Sequence, residues 1–256
     1  MSDNSRLGAD RREFAVCTVE SNSRRTFLVR TGLATAAMLA LGSIGVAKGR
    51  DNFNGFDLLI QKDKGKQEKG NTVDLGSGDT GILNYAYALE QLEAAFYTQA
   101  VGSPYSGMSS DERNILTAIR DHEVAHREFF KVALGKKAIP ALTPNFSAIN
   151  FSSRDSVLGT ARTFEDLGVS AYNGAGQLLK KGEFLLLAGK IVSVEARHAA
   201  IIRDLLQPNS ASFSGDDVVN AQGLDGARSP AEVLAAAAPF ISSPVVTANK
   251  LPTPKA

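Results

Sequence analysis

Four long stretches of the chain place apolar residues at the three-to-four residue spacing of an amphipathic helix, and each is bounded by its own stop signals. The first covers residues 79–101 and ends at Gly102, before the turn Ser103-Pro104. The second opens at Ser109 with Glu112 three residues on, the pairing in which a hydroxyl and a carboxylate cap each other's backbone N–H, and it closes at Gly135. The third runs over residues 153–181 and stops at Gly182; the fourth runs over 183–207 and stops at Pro208. At about 1.5 Å per residue each predicts a rod of roughly 30–40 Å. Short connections join the first stretch to the second and the third to the fourth, so each pair is expected to form an antiparallel hairpin. Residues 136–152, with Pro140 and Pro144, are long enough to cross the bundle. The expected fold is all-α, a four-helix bundle with a long crossover between its second and third helices.

The flanks break this pattern. Residues 48–78 are polar, rich in Gly and Lys (Lys62, Lys64, Lys66 and Lys69 among them), and read as a linker or arm. Residues 208–256 are rich in Ser, Ala and Pro and read as an irregular tail. One short helix is expected over 230–240, capped by Ser229 with Glu232, and lying against the bundle. Residues 31–47 are apolar and uncharged, follow Ser23-Arg24-Arg25-Thr26-Phe27-Leu28, and end in the small residues of Gly45-Val46-Ala47 before Lys48. That order is a processing signal, and it resembles the twin-arginine export signal, with Val29 in place of the usual Lys. The chain is therefore expected to be cleaved after residue 47 and to act in the periplasm or another extracytoplasmic space. The apolar run is too short and too rich in Gly and Ala to read as a membrane anchor, and with its removal no stable membrane span is expected after cleavage.

Composition narrows the field further. A formal net charge of +1 gives no reason to expect nucleic acid as partner. Removing residues 1–47 leaves 22 Lys and Arg against 23 Asp and Glu, and it removes Cys17, the only cysteine. A disulfide within the chain is thereby excluded. Nothing here specifies a cage, and a monomer or homodimer is expected.

Candidate chemistry sits on all four stretches. The first contains Leu89-Glu90-Gln91-Leu92-Glu93-Ala94-Ala95-Phe96-Tyr97, and the third contains Phe164-Glu165-Asp166-Leu167-Gly168-Val169-Ser170-Ala171-Tyr172. Glu90 thus aligns with Glu165 and Tyr97 with Tyr172. The second contains Glu123-Val124-Ala125-His126 and the fourth Glu195-Ala196-Arg197-His198, both Glu-x-x-His. Residues three apart share one helix face, so each pair can reach one metal or bridge two, while a Glu of the hairpin partner closes the site. Four carboxylates and two imidazoles suit two divalent ions such as Fe²⁺ or Mn²⁺. Chance places a Glu three before a given His in about 5% of cases, since 12 of 256 residues are Glu. A single match is therefore weak; two among only three His, each with a partnered Glu upstream, are specific.

The expected metal ligands are Glu90, Glu123, His126, Glu165, Glu195 and His198, with Glu123 and Glu195 bridging and Glu90 and Glu165 terminal. Glu93, one turn from Glu90, is an alternative or additional ligand. Tyr97 and Tyr172 are expected as core residues whose hydroxyls are free to hold the ligand carboxylates. Carried by all four motifs, residues 79–207 resemble the ferritin-like family that includes bacterial and plant desiccation-related proteins, more distantly kin to rubrerythrins, bacterioferritins and manganese catalases. The resemblance implies a di-iron or di-manganese centre that reacts with O₂ or peroxide, an oxidoreductase of peroxidase, catalase or ferroxidase type acting in iron or oxidative-stress handling.

Two other readings compete. His122-Glu123-Val124-Ala125-His126 is a literal His-Glu-x-x-His, which on a helix binds zinc through both His in metalloproteases. It lacks a third ligand outside the second Glu-x-x-His and leaves Glu90, Glu165 and Glu195 without a role; His122 is expected at the surface or behind the ligands. The remaining reading is a non-catalytic stress-related bundle with structural metal or none.

Overall fold

Each of the four amphipathic stretches is a helix in the computed structural model, which describes residues 72–253. Helix α1 spans Gly78–Gly102, α2 Ser110–Leu134, α3 Arg154–Gly176 and α4 Gly182–Leu206. The caps read from the sequence are formed. Ser109 Oγ accepts from the Glu112 N–H and the Glu112 carboxylate accepts from the Ser109 N–H, both at 3.1 Å. Arg154 Nε donates to the other Glu112 oxygen at 2.7 Å, tying the start of α2 to the start of α3. Helix α3 stops short of the expected residue 181. The Asp79 carboxylate takes the N–H groups of Lys180 and Lys181 at 2.8 and 3.1 Å, and Leu178 is buried, so the chain turns into α4 instead of continuing the helix.

The pairs α1–α2 and α3–α4 are hairpins. Between them residues 135–153 run the length of α1. Asn84 of α1 holds the Lys137 carbonyl and the Ile139 N–H, Gln91 accepts from the Leu142 N–H at 2.8 Å, and Phe96 packs against Phe146 and Phe151. Helix α3 therefore starts at the end of the bundle where α1 finishes, and runs antiparallel to α1. The molecule is the all-α bundle with a long crossover that the loop lengths predict. No helix among the described residues is long and apolar enough to cross a membrane.

The twin-arginine signal and cleavage site expected in 1–47 lie outside the described residues, as do residues 48–71 of the arm expected over 48–78; the end of that arm is packed rather than loose, with Leu75 buried. Residues 72–74 form strand β1 (Thr72–Asp74), parallel to β4 (Val245–Thr247), while β2 (Thr143–Pro144) in the crossover pairs antiparallel with β3 (Ile241–Ser243). The tail is thus clipped to the crossover and to β1. It is also clasped to α4: Arg203, 3% exposed, makes paired bonds to Asp166 and Asp217 at 2.7–3.0 Å and donates to the Ser212 carbonyl. The expected short helix, α5 (Pro230–Ala237), has its Ser229–Glu232 cap and lays Val233 and Ala237 into the core over α1 and α3. Gly174 permits this approach, since a Cβ there would stand 1.8 Å from the Arg228 carbonyl oxygen.

Two apolar clusters fill the bundle. One, around Tyr85, Leu89, Leu134 and Val233, lies at the end where α1 begins; the other, around Phe96, Leu116, Leu158 and Ile202, lies at the end where α1 finishes. Between them is a layer of buried carboxylates.

Candidate metal centre

Helical spacing brings this layer together. Glu90, Glu93 and Tyr97 share one face of α1, Glu123 and His126 one face of α2, Glu165 and Tyr172 one face of α3, and Glu195 and His198 one face of α4. Glu90, Glu123, Glu165 and Glu195 are each 0% exposed. Their oxygens and the two imidazoles fall into two groups, Glu90–Glu123–His126–Glu195 and Glu123–Glu165–Glu195–His198, with the donor atoms of each group within 4.8 Å of one another. Glu123 and Glu195 belong to both.

The contacts repeat across the internal duplication. His126 Nδ1 stands 3.0 Å from Glu195 Oε1, 3.4 Å from Glu90 Oε2 and 3.6 Å from Glu123 Oε2. His198 Nδ1 stands 2.8 Å from Glu123 Oε1 and 3.5 Å from Glu165 Oε2. Tyr97 donates to Glu165 Oε1 at 2.5 Å, and Tyr172 donates to Glu90 Oε1. Each tyrosine thus steadies the glutamate of the other hairpin, as the aligned motifs suggest.

One oxygen of Glu90 and one of Glu165 are accordingly held by tyrosine, and their Oε2 atoms have no hydrogen-bond partner among the described residues. Both oxygens of Glu123 and both of Glu195 also form no hydrogen bond, nor do Nδ1 of His126 and of His198, although the imidazoles approach Glu195 Oε1 and Glu123 Oε1 to 3.0 and 2.8 Å as ion pairs. Buried lone pairs left facing one another cost several kcal/mol in a protein interior, on the order of 2–7 kcal/mol per unpaired polar group. A pair of cations is the partner this donor set fits. One oxygen thus remains unpartnered on Glu90 and on Glu165, and two on Glu123 and on Glu195, the two residues shared by both donor groups.

Without cations the cluster balances its charge with protons. Burial, which outweighs the neighbouring His126, pushes the Glu90 carboxyl up to about 7. Burial raises Glu165 and holds Glu195 well above the carboxylate range, with the repulsion of Glu123 adding to it for both. Burial also opposes ionisation of Glu123, but the imidazoles of His126 and His198 beside it prevail and keep it below its ordinary value. In turn, burial opposes charge on the imidazoles, yet the facing carboxylates prevail: Glu90, Glu123 and Glu195 raise His126, and Glu165 and Glu123 push His198 up to about 11.

These directions set a pH dependence. The folded, ion-free chain holds more protons than the unfolded chain from about pH 4.5, where an ordinary Glu ionises, through the Glu90 value of about 7 and on towards the His198 value of about 11. Stability of the ion-free protein is therefore expected to fall as pH rises across that window. Below it, protonation of Glu123 works in the opposite sense. Melting of the chelated protein at about pH 5.5 and about pH 8.5 checks this: Tm should be lower at the higher pH, and the difference should shrink when Mn²⁺ is present and replaces the protons.

Two further residues belong to the layer without joining either group. Glu93 is buried, its Oε1 3.1 Å from where a Cβ on Gly168 would sit, with Glu195 Oε2 3.5 Å from the same point. Gly168 is the residue in register with Glu93, and its missing side chain makes the room that both carboxyls occupy. Burial, with the charge of Glu195 next, holds Glu93 well above its ordinary value. The geometry includes Glu90, rather than Glu93, as the donor from α1. His122, expected at the surface or behind the ligands, is half-buried, and its Nδ1 lies 2.8 Å from His198 Nε2. It belongs to neither donor group, so the two His of the His-Glu-x-x-His string do not converge on one point.

The sequence carried no direct sign of the His122–His198 contact, because it joins different helices. The register of the two Glu-x-x-His pairs was the one signal that placed it near the site. A family model described as a ferritin-like domain matches residues 78–208, a span that takes in all four long helices. No curated protein matches the chain.

Proposed function

The chain belongs to the ferritin-like domain family, and on that premise we propose that it is an exported carboxylate protein that binds two iron or manganese ions and reacts with O₂ or peroxide. The observation that carries this reading is the pattern of unpartnered atoms, two free oxygens on each shared glutamate and one on each glutamate held by tyrosine. When bound, such an ion pair would supply two electrons to O₂ or peroxide, and turnover would need them returned by a second peroxide molecule or by an added reductant. The chain's residues do the rest. Glu123 and Glu195 span both positions, Glu90 and His126 complete one, and Glu165 and His198 complete the other. Four ligand carboxylates would offset the charge of two divalent ions, and Glu93, held well above its ordinary value, adds no charge while it keeps its proton. Tyr97 and Tyr172 fix the rotation of Glu165 and Glu90, and α5, together with Phe240 packed on Phe164 at 4.8 Å, keeps water from the α1–α3 side.

Metal analysis of protein taken from its native compartment, followed by steady-state consumption of peroxide and O₂, tests the reading. About two iron or manganese ions per chain with turnover above that of the free ions is the expected result. Two tightly held ions without turnover would favour a structural role in stress tolerance, and one zinc with peptidase activity would favour the metalloprotease. Export is tested separately: Arg24→Lys with Arg25→Lys should leave uncleaved protein in the cytoplasm, and normal cleavage of that variant would sink the twin-arginine route.

A further inference from the structure

The duplication that builds the centre is broken at two places: Glu93 stands opposite Gly168 among the carboxylates, and behind the imidazoles the break is at His122. Setting Glu123 on Glu195 and His126 on His198 puts His122 in register with Val194. His198 and His126 both turn Nδ1 towards the carboxylates, at 2.8 Å from Glu123 and 3.0 Å from Glu195 respectively. An imidazole that offers the Nδ1 lone pair to a cation carries its proton on Nε2. For His198 that N–H has an acceptor, His122 Nδ1 at 2.8 Å, and the two rings lie within 12° of parallel. For His126 it has none among the described residues, and the register mate of His122 is a valine with no polar side-chain atom.

We propose that His122 makes the two metal positions unequal. As a positioning residue acting through His198, it makes the position at Glu165 and His198 the tighter one, filled first, and leaves the position at Glu90 and His126 to fill second. Accepting the Nε2 proton fixes the tautomer and ring plane of His198 and raises the electron density that Nδ1 donates. The inference rests on the di-metal reading above, and it adds an order of filling that the symmetric ligand set alone does not contain. It also gives His122, the leftover of the His-Glu-x-x-His string, a role without zinc.

Anaerobic titration of the mature chain with Co²⁺, followed by visible absorption, tests it. The wild type is expected to bind two ions in two steps whose affinities differ by about 10–100-fold, the usual effect of an outer hydrogen-bond partner. His198→Ala should abolish the tighter step and His126→Ala the weaker one. His122→Ala should bring the two steps together, while His122→Asn, whose side-chain carbonyl still accepts from His198, should restore part of the separation. His122→Leu, which keeps volume but offers no acceptor, should behave as His122→Ala does and serves in its place if circular dichroism shows lost helix. Fewer than two ions on the wild type overturns the di-metal reading and this inference with it. Two ions of equal affinity, or a separation that survives removal of the acceptor, overturns this inference alone.

Discussion

Glu123→Ala is expected to empty both metal positions, and Glu165→Ala to empty one. Glu123 and Glu195 each appear in both donor groups and each has two unpartnered oxygens, so losing either removes a donor from two ions at once. Glu90 and Glu165 each appear in one group, with the second oxygen already spoken for by Tyr172 and Tyr97. The mature chain, reconstituted anaerobically with excess Mn²⁺ and desalted, should retain close to two ions. Under the same conditions Glu123→Ala and Glu195→Ala should retain close to none, and Glu90→Ala and Glu165→Ala close to one. Elemental analysis beside circular dichroism reads the result. Equal losses across all four variants would contradict the division into bridging and terminal carboxylates. A single zinc that survives Glu165→Ala and disappears with His122→Ala would return the advantage to the protease reading.

The helices were legible because their information is local. Ser109 with Glu112, and Ser229 with Glu232, form the caps their spacing announces, since the groups that bond are three residues apart. The centre was legible for a different reason: the bundle was built twice, so Glu90 with Glu165 and Glu195 with Glu123 point to each other in the sequence before any fold is known. Where the sequence was silent, the deciding contact is long-range. Asp79 ends the α3–α4 turn from more than a hundred positions away, β1 exists through its pairing with β4, and the tail is ordered by Arg203 and by Gly174 making room for Arg228. None of these leaves a periodic trace. The choice between Glu90 and Glu93 was open for the same reason, since both lie on one face of α1. The free oxygen of Glu90 beside His126 separates them, and so does the empty side of Gly168 that Glu93 fills.

The ion-free protein should become more stable when one of its central carboxylates is removed. Glu195 is fully buried, faces Glu123, Glu90 and Glu165, and is held far above its ordinary carboxyl value by burial first and by Glu123 next. Folding the empty chain must therefore desolvate a group that ionises only at high cost, with partial relief from the His126 imidazole 3.0 Å from its Oε1. Above about pH 4.5, where an ordinary Glu ionises, folding the empty chain must put on Glu195 a proton that the unfolded chain lacks, and a Gln, which does not titrate, removes that cost. In the loaded protein the balance reverses, because an ion that binds only the folded chain stabilises it by about 4 kcal/mol at a thousandfold excess over Kd. For a chain of this size each kcal/mol moves Tm by roughly 2–4 °C. Wild-type protein is thus expected to gain on the order of 10 °C or more with saturating Mn²⁺. Glu195→Gln should melt above the wild type when both are chelated, yet show little or no gain when Mn²⁺ is added. Differential scanning calorimetry of the two proteins, with and without the ion, gives all four values. If Glu195→Gln melts below the chelated wild type, and the wild type itself ignores Mn²⁺, the carboxylate layer is a structural network rather than a site held ready for metal.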